Sequence, residues 1–282
     1  MKYLSTNAQF LLSILFIAVL SSTLCAQTTE YGFRTGFTIP ELNSQDDNIY
    51  STGYTSVTGF DISIFADFGL TERLSLKTEI GYLRKGGERI GMQPIPSALL
   101  GDLSASLAPG QVIWADFNNR SVFSYIEIPV LAKYELPFSS TFGIYVNIGP
   151  YVDFIVDPKQ VTSGQSSFYF DETGTMPVQV PINPQDPPQN WILVNLPPQD
   201  LMAETDISDD ISTVDVGAMA GIGFFVNTTD RSKLLFDVRG SYGFIPLQKD
   251  EETFGKVNMA NISLAVGYAY TFGNNGTSSP EN

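Results

Sequence analysis

The chain has no histidine, one cysteine, and 15 Lys and Arg against 30 Asp and Glu. Without histidine the commonest general base and metal ligand is missing, which excludes Ser-His-Asp and Cys-His machinery and His-based hydrolases. The one cysteine, Cys25, lies in the N-terminal stretch, so the rest of the chain can build neither a disulfide framework nor a thiolate metal site. The net charge of −15 opposes binding to phosphate backbones. No nucleic acid, cofactor or metal is therefore expected, and the chain is not expected to be an enzyme. After residue 26 no apolar run approaches the 18 or so residues of a membrane-spanning helix.

What is present begins with an export pattern. Residues 1–9 carry Lys2 and no acid, residues 10–20 are apolar, and Ser21 to Ala26 are mostly small. This order predicts a secretory signal peptide over 1–26, cleaved after Ala26. Lipidation at Cys25 would want a small residue before it, where Leu24 stands.

Eight later segments alternate apolar and polar residues with period two: 31–39, 57–69, 73–84, 122–136, 142–155, 213–226, 234–246 and 257–272. Several exceed the ~9–11 residues that cross a bilayer when tilted. One face of the set carries Phe33, Phe37, Phe60, Ile62, Ile64, Phe68, Ile80, Ile128, Val130, Val146, Ile148, Val152, Ile222, Phe224, Val238, Leu264 and Val266, with no charge among them. The other carries Arg34, Asp61, Asp67, Lys77, Glu79, Glu127, Lys133, Glu135, Asp153, Asp215, Asp237 and Arg239, spaced by glycines. Phe and Tyr recur toward the ends of the apolar faces, as in interfacial girdles around an aliphatic belt. Alternation alone also suits a soluble sandwich or a lipocalin-like carrier, with the apolar faces inward.

Connection lengths alternate long and short along the whole chain, the pattern of outer-membrane barrels with periplasmic termini. The expected fold is therefore an all-β, antiparallel up-and-down transmembrane barrel of about eight strands. It would occupy 27–272 with long extracellular loops at 85–121 and 156–212, followed by a periplasmic tail at 273–282. An open sheet edge in hydrocarbon would leave peptide groups unpaired, so the ring must close. Pro129 cannot donate to a ladder, and a bulge or local break is expected there.

The strands YGFRTGFTI, LSLKTEIGYLRKGG, YIEIPVLAKYEL, YVNIGPYVDFIV, VDVGAMAGIGFFV and ISLAVGYAYTF together resemble the PorT-like outer-membrane β-barrels of Bacteroidetes-type bacteria. The resemblance implies a location in the outer membrane, and links some members to protein secretion and gliding. The long segment 156–212 and the tail after Phe272 depart from it.

Two candidate sites follow. The inward charges Arg34, Asp61, Lys77, Glu79, Glu127, Lys133, Glu135, Asp153, Asp215, Asp237 and Arg239 would form either a packed ion-pair network or a cation path. At about eight strands the interior holds side chains rather than a water column, so the packed network is the expectation and a narrow porin its rival. The second site is the proline-rich loop NPQDPPQNWILVNLPPQD, whose apolar island Trp191, Ile192, Leu193 and Val194 would either dock a protein partner or fold over the barrel mouth. The surrounding segment 156–212 carries a net charge of −8. Within it Asp206, Asp209 and Asp210 lack the full spacing of a calcium loop and read as a solvated acidic stretch. The expected surroundings are outer-membrane lipid and a protein partner at the extracellular loops.

Overall fold

The computed structural model describes residues 28–95, 100, 107–108, 111–183, 185 and 187–272. The expected signal peptide, Cys25 and the expected tail at 273–282 lie outside the described residues. Eight long strands follow the chain: β1 Thr29–Ser44, β2 Gly59–Gly69, β3 Leu74–Ile95, β4 Ile113–Pro137, β5 Phe142–Ser163, β6 Val214–Thr229, β7 Ser232–Gly243 and β8 Val257–Phe272. Each pairs antiparallel with its neighbour in sequence, and β8 returns to β1, from Thr29 opposite Phe272 to Ser44 opposite Val257. The ring is closed, so no peptide edge faces the surroundings within the wall. Among the described residues no helix is long and apolar enough to cross a membrane.

The alternation sorts as the periodicity implied. Phe33, Phe37, Ile64, Ile80, Ile148, Ile222 and Val266 are exposed on the outer wall, while charged residues of the opposite parity on each strand, such as Arg34, Glu79, Asp237 and Arg239, are buried inside. A lipocalin-like carrier would need the reverse. Phe68, Val130 and Val152 keep the outward parity but are buried. Aromatic residues gather in two bands. Tyr31, Phe272 and Tyr270 touch one another at the short-turn end, as do Phe142, Phe224 and Phe236, and the pairs Phe60–Tyr82 and Tyr242–Phe244 lie toward the other end.

Two features differ from the expected wall. The segment 85–121 is mostly strand: β3 and β4 stay paired from Leu74–Tyr134 up to Ile95–Ile113. At roughly 3.3 Å per residue, β3 spans about 70 Å along its path, well beyond a belt ~25 Å tall. The Gly-Gly at 86–87 lies past the expected strand end at Arg84, yet extended backbone continues through it. β5 extends beside β4, and the outer edges of this three-stranded sheet are covered by short strands from loops, Thr55–Ser56 against β3 and Ala203–Asp206 against β5, which removes free ladder groups.

At Pro129 the ladder breaks without a register shift. Pairing with β3 skips from Val130 to Glu127, and pairing with β5 skips from Pro129 to Ala132, with the same register on both sides. The true bulge lies at Ser124–Tyr125, where Tyr82 Oη donates to the buried Ser124 Oγ at 3.0 Å.

The outer wall yields one prediction. Ile148 is 65% exposed on the outer wall, near the middle of the part of β5 that pairs with β6, and a charge at a bilayer midplane costs about 2–4 kcal/mol in barrels. Ile148→Arg is expected to lower the heat-modifiable, folded fraction in lipid vesicles, while Thr173→Arg in an outer loop leaves it unchanged. Equal folding of both variants would place the outer wall elsewhere than in lipid.

Candidate functional site

Strand parity sends the charged side chains inward, and closure brings together residues far apart in sequence. The deepest layer centres on Glu79 of β3. Its carboxylate accepts Arg239 Nη1 and Nη2 at 2.9 and 2.8 Å and Arg34 Nε at 3.0 Å, with Lys77 Nζ at 2.9 Å. Arg34 also reaches Asp61 at 2.6 Å and Asp237 at 3.2 Å, and Tyr145 Oη donates to Asp237 at 3.1 Å. Three acids (Asp61, Glu79, Asp237) thus neutralise three bases (Arg34, Lys77, Arg239). β3 and β7 stand opposite each other in the eight-membered ring, so the two-pronged Glu79–Arg239 pair bridges the full lumen.

Toward the short-turn end Lys133 binds Asp67 at 2.6 Å and Glu135 at 2.5 Å, and Lys233 binds Glu30 at 2.8 Å and Glu135 at 2.9 Å. Glu30, Asp67 and Glu135 bring oxygens close enough for a metal ion, but the ammonium groups of Lys133 and Lys233 already lie among them. Toward the loop end Lys85 binds Asp153 at 2.8 Å and Glu127 at 3.4 Å, while Asp215 accepts the backbone N–H of Ile245 at 3.0 Å. Every sequence-assigned lumen residue is buried except Glu135, which sits at the rim with its side chain 22% exposed.

Sequence reading missed Lys85, Lys233 and Glu30, all of which complete ion pairs. Lys85 falls one residue past the expected strand 73–84, and Lys233 one residue before the expected strand 234–246. Parity alone would have found both, since Lys85 continues Lys77, Glu79, Gly81 and Leu83, and Lys233 precedes Leu235, Asp237 and Arg239.

Large rings fill the remaining interior. Tyr125, Tyr145 and Tyr151 are at most 1% exposed. Each of the latter two lies where a glycine has been left: a Cβ on Gly217 would strike the Tyr151 ring, and one on Gly223 the Tyr145 ring. Above the charged layers an apolar plug of Leu83, Phe123, Tyr125, Ile155 and Met259 is joined by Ile211 and Leu247 from the long loops, with Ile207 and Leu42 against it. The end of segment 156–212 therefore closes the barrel mouth.

The rest of that segment builds a second small core on the tip of the β3–β4 hairpin. Ile95, Leu100, Ile113, Ala115 and Val178 are buried together, with Phe117, Phe168, Phe170 and Leu201 packed around them. A turn below it is held by Asp171, whose carboxylate accepts the Thr173 and Thr175 hydroxyls and the backbone N–H groups of Thr175 and Met176. The Thr173 hydroxyl first, and those N–H groups with it, hold the Asp171 carboxyl below the usual range. From this base a hairpin pairs Gln179–Pro181 with Leu193–Asn195. It carries the island outward: Trp191 is 42% exposed, Ile192 68%, Leu193 50% and Val194 40%. Asp206 accepts the backbone N–H of Ser208, and among the described residues Asp206, Asp209 and Asp210 do not gather their carboxylates into a metal-sized cluster.

The lumen yields a second prediction. Removing one member of a buried ion network strands its partners at about 3–5 kcal/mol. Glu79→Gln is expected to cost about that much in urea unfolding from vesicles, and Glu135→Gln at the wetter rim less than half as much. Equal small losses would mean that the lumen is hydrated.

Comparison with known proteins agrees with this architecture. The sequence profile described as outer membrane protein beta-barrel domain matches residues 25–249. A search of the curated proteins found no match. Among solved structures, the chain is similar to Neisserial surface protein A, at 14% identity and TM-score 0.36 over 86% of this chain and 97% of that one. It is also similar to outer membrane protein OprG from Pseudomonas aeruginosa, at 10% identity and TM-score 0.41 over 88% and 98%, and to Ail, the attachment invasion locus protein of Yersinia pestis, at 9% identity and TM-score 0.35 over 86% and 98%. With its closed eight-stranded ring and the profile covering most of its length, the chain belongs to the outer membrane protein beta-barrel domain family.

Proposed function

We propose that this protein is a non-conducting, non-enzymatic barrel of the PorT-like type, whose task is to hold a rigid extracellular platform that docks a protein partner in secretion or envelope assembly. The observation that carries this reading is the division of labour along the barrel axis. The Glu79–Arg239 bridge and the apolar plug above it fill the interior, so the body offers little to a passing solute. The long loop, by contrast, is built on its own small core and presents four consecutive apolar residues to water. Surface apolar clusters of this kind mark interaction sites more often than they occur idly. An aromatic side chain such as Trp191, exposed here, is the kind that most often dominates interface energy once a partner buries it. The net charge of −8 over 156–212 favours a partner with a basic rim around an apolar groove.

Two measurements test the proposal together. In planar bilayers the purified protein should carry no steady, porin-sized current. In native membranes, recovery of a partner through a tag on the C-terminal tail should be lost in the triple variant Trp191→Ser, Ile192→Ser, Leu193→Ser, with heat-modifiable migration unchanged. A steady current would favour a narrow porin, and unchanged recovery would move the docking surface off the hairpin.

A further inference from the structure

Above the apolar plug, inside the collar of outer loops, lies a cavity of about 340 Å³. That volume falls in the ~300–1,000 Å³ range of small-molecule sites. Its floor is the plug itself, through Leu42, Phe123, Ile211 and Leu247. Tyr50, Tyr54, Phe117 and Phe254 contribute aromatic walls. The polar lining combines the primary amides of Gln93, Asn119, Gln160 and Gln248 with serine and threonine hydroxyls, while its two charges, Arg89 and Asp210, are of opposite sign. Arg89 Nη1 is already spent on the Ile49 carbonyl at 2.7 Å.

The polar wall is wired in one direction. Gln160 Nε2 donates to Asn119 Oδ1 at 2.9 Å, and Asn119 Nδ2 donates to Tyr54 Oη at 3.0 Å. Tyr54 therefore receives a hydrogen bond and keeps its own O–H to give, strengthened by the chain behind it. Gln248 Oε1 is a buried acceptor with no hydrogen-bond partner among the described residues, and such groups are rarely left unmet. Tyr54 and Gln248 thus line one cavity with an apolar floor and no net charge, where a turn of the enclosed Gln248 amide brings its unmet oxygen to a ligand. Other described cavities differ in kind: two are open grooves along the outer wall, lined largely by apolar residues such as Ile222, Phe224, Ile148 and Ile262, and the small one at the short-turn end, about 110 Å³, is lined by charged groups.

We propose that this vestibule binds an uncharged amphipathic molecule that joins an apolar ring or short hydrocarbon body to several hydroxyls, as in an aryl or alkyl glycoside. The body packs on Phe123 and Leu247 between the aromatic walls. The hydroxyls donate to Gln248 and accept from Tyr54, which a hydrocarbon alone or an anion cannot do. This site is independent of the Trp191 island, which lies outside the cavity lining.

The test uses the full-length protein in lipid nanodiscs and equilibrium dialysis with p-nitrophenyl β-glucoside, alongside methyl glucoside, which lacks the ring, and p-nitrophenyl phosphate, which carries charge. The glucoside should bind saturably at one per chain, with both comparison compounds at least tenfold weaker. Gln248→Leu removes one hydrogen bond and should weaken binding about three- to tenfold. Thr205→Trp, at the exposed rim of the cavity, should abolish binding while heat-modifiable migration stays normal. Non-saturable uptake equal to that of empty nanodiscs, or saturable binding that neither variant changes, would overturn the site. Equal binding of the phosphate compound would overturn the neutral class of ligand.

Discussion

A peptide group left unpaired in hydrocarbon costs several kcal/mol, and the rest of this structure follows from avoiding that cost. The ring can close only if β8 meets β1, which it does over their full lengths. Closure at eight strands fixes a narrow interior, and the strand period then forces every second side chain into it. A sequence that places Glu, Lys, Asp and Arg on those positions must pair them, because a lone charge in such a space would be prohibitively desolvated. The three charged layers are the result. The central one is neutral and spans the lumen, and the outer ones use lysines to hold their acids together.

The same constraint stops at the edge of the bilayer, and the structure changes character there. Beyond the belt β3, β4 and β5 continue as a tall sheet whose edges must be protected from water-borne pairing rather than from lipid, and short loop strands do this. The loops then behave as a small soluble domain, with a core on the hairpin tip, an apolar seal into the barrel and a hairpin projecting away from both. Charge is divided in the same way. Most acids inside the wall lie against a base, whereas those of the long loop are largely unmatched and face water.

Strand direction, parity and ring closure were legible in the sequence, because a period of two with uncharged apolar faces leaves few alternatives. Strand ends were not. Gly86 and Gly87 carry the composition of a turn, but their neighbours on β4 supply a ladder that local composition cannot reveal, and Lys85 was lost with them. Pro129 was read correctly as an irritant to the ladder, yet the bulge settled at Ser124–Tyr125, where Tyr82 offers a hydroxyl from the adjacent strand. The apolar island at Trp191 was visible as composition, but its emergence on a hairpin built over a second core depends on contacts between residues 95, 113 and 178 that no local pattern encodes. The amide-lined vestibule was invisible for the same reason, its wall being assembled from Tyr54, Asn119 and Gln160 on three separate segments.

The central claim is that one face of the wall meets lipid and the other a dry, ion-paired interior. It is tested most directly by single-cysteine scanning of β5 from residue 144 to 152 in a Cys25→Ser background, reading both quenching of a thiol-attached fluorophore by nitroxide lipids and reaction with a membrane-impermeant thiol reagent. Positions 146 and 148, exposed on the outer wall, should be quenched by lipid. Positions 145, 147 and 151, buried among charges and rings, should escape quenching and resist the reagent. Rapid reaction at the buried positions would show a water-filled channel and contradict the account.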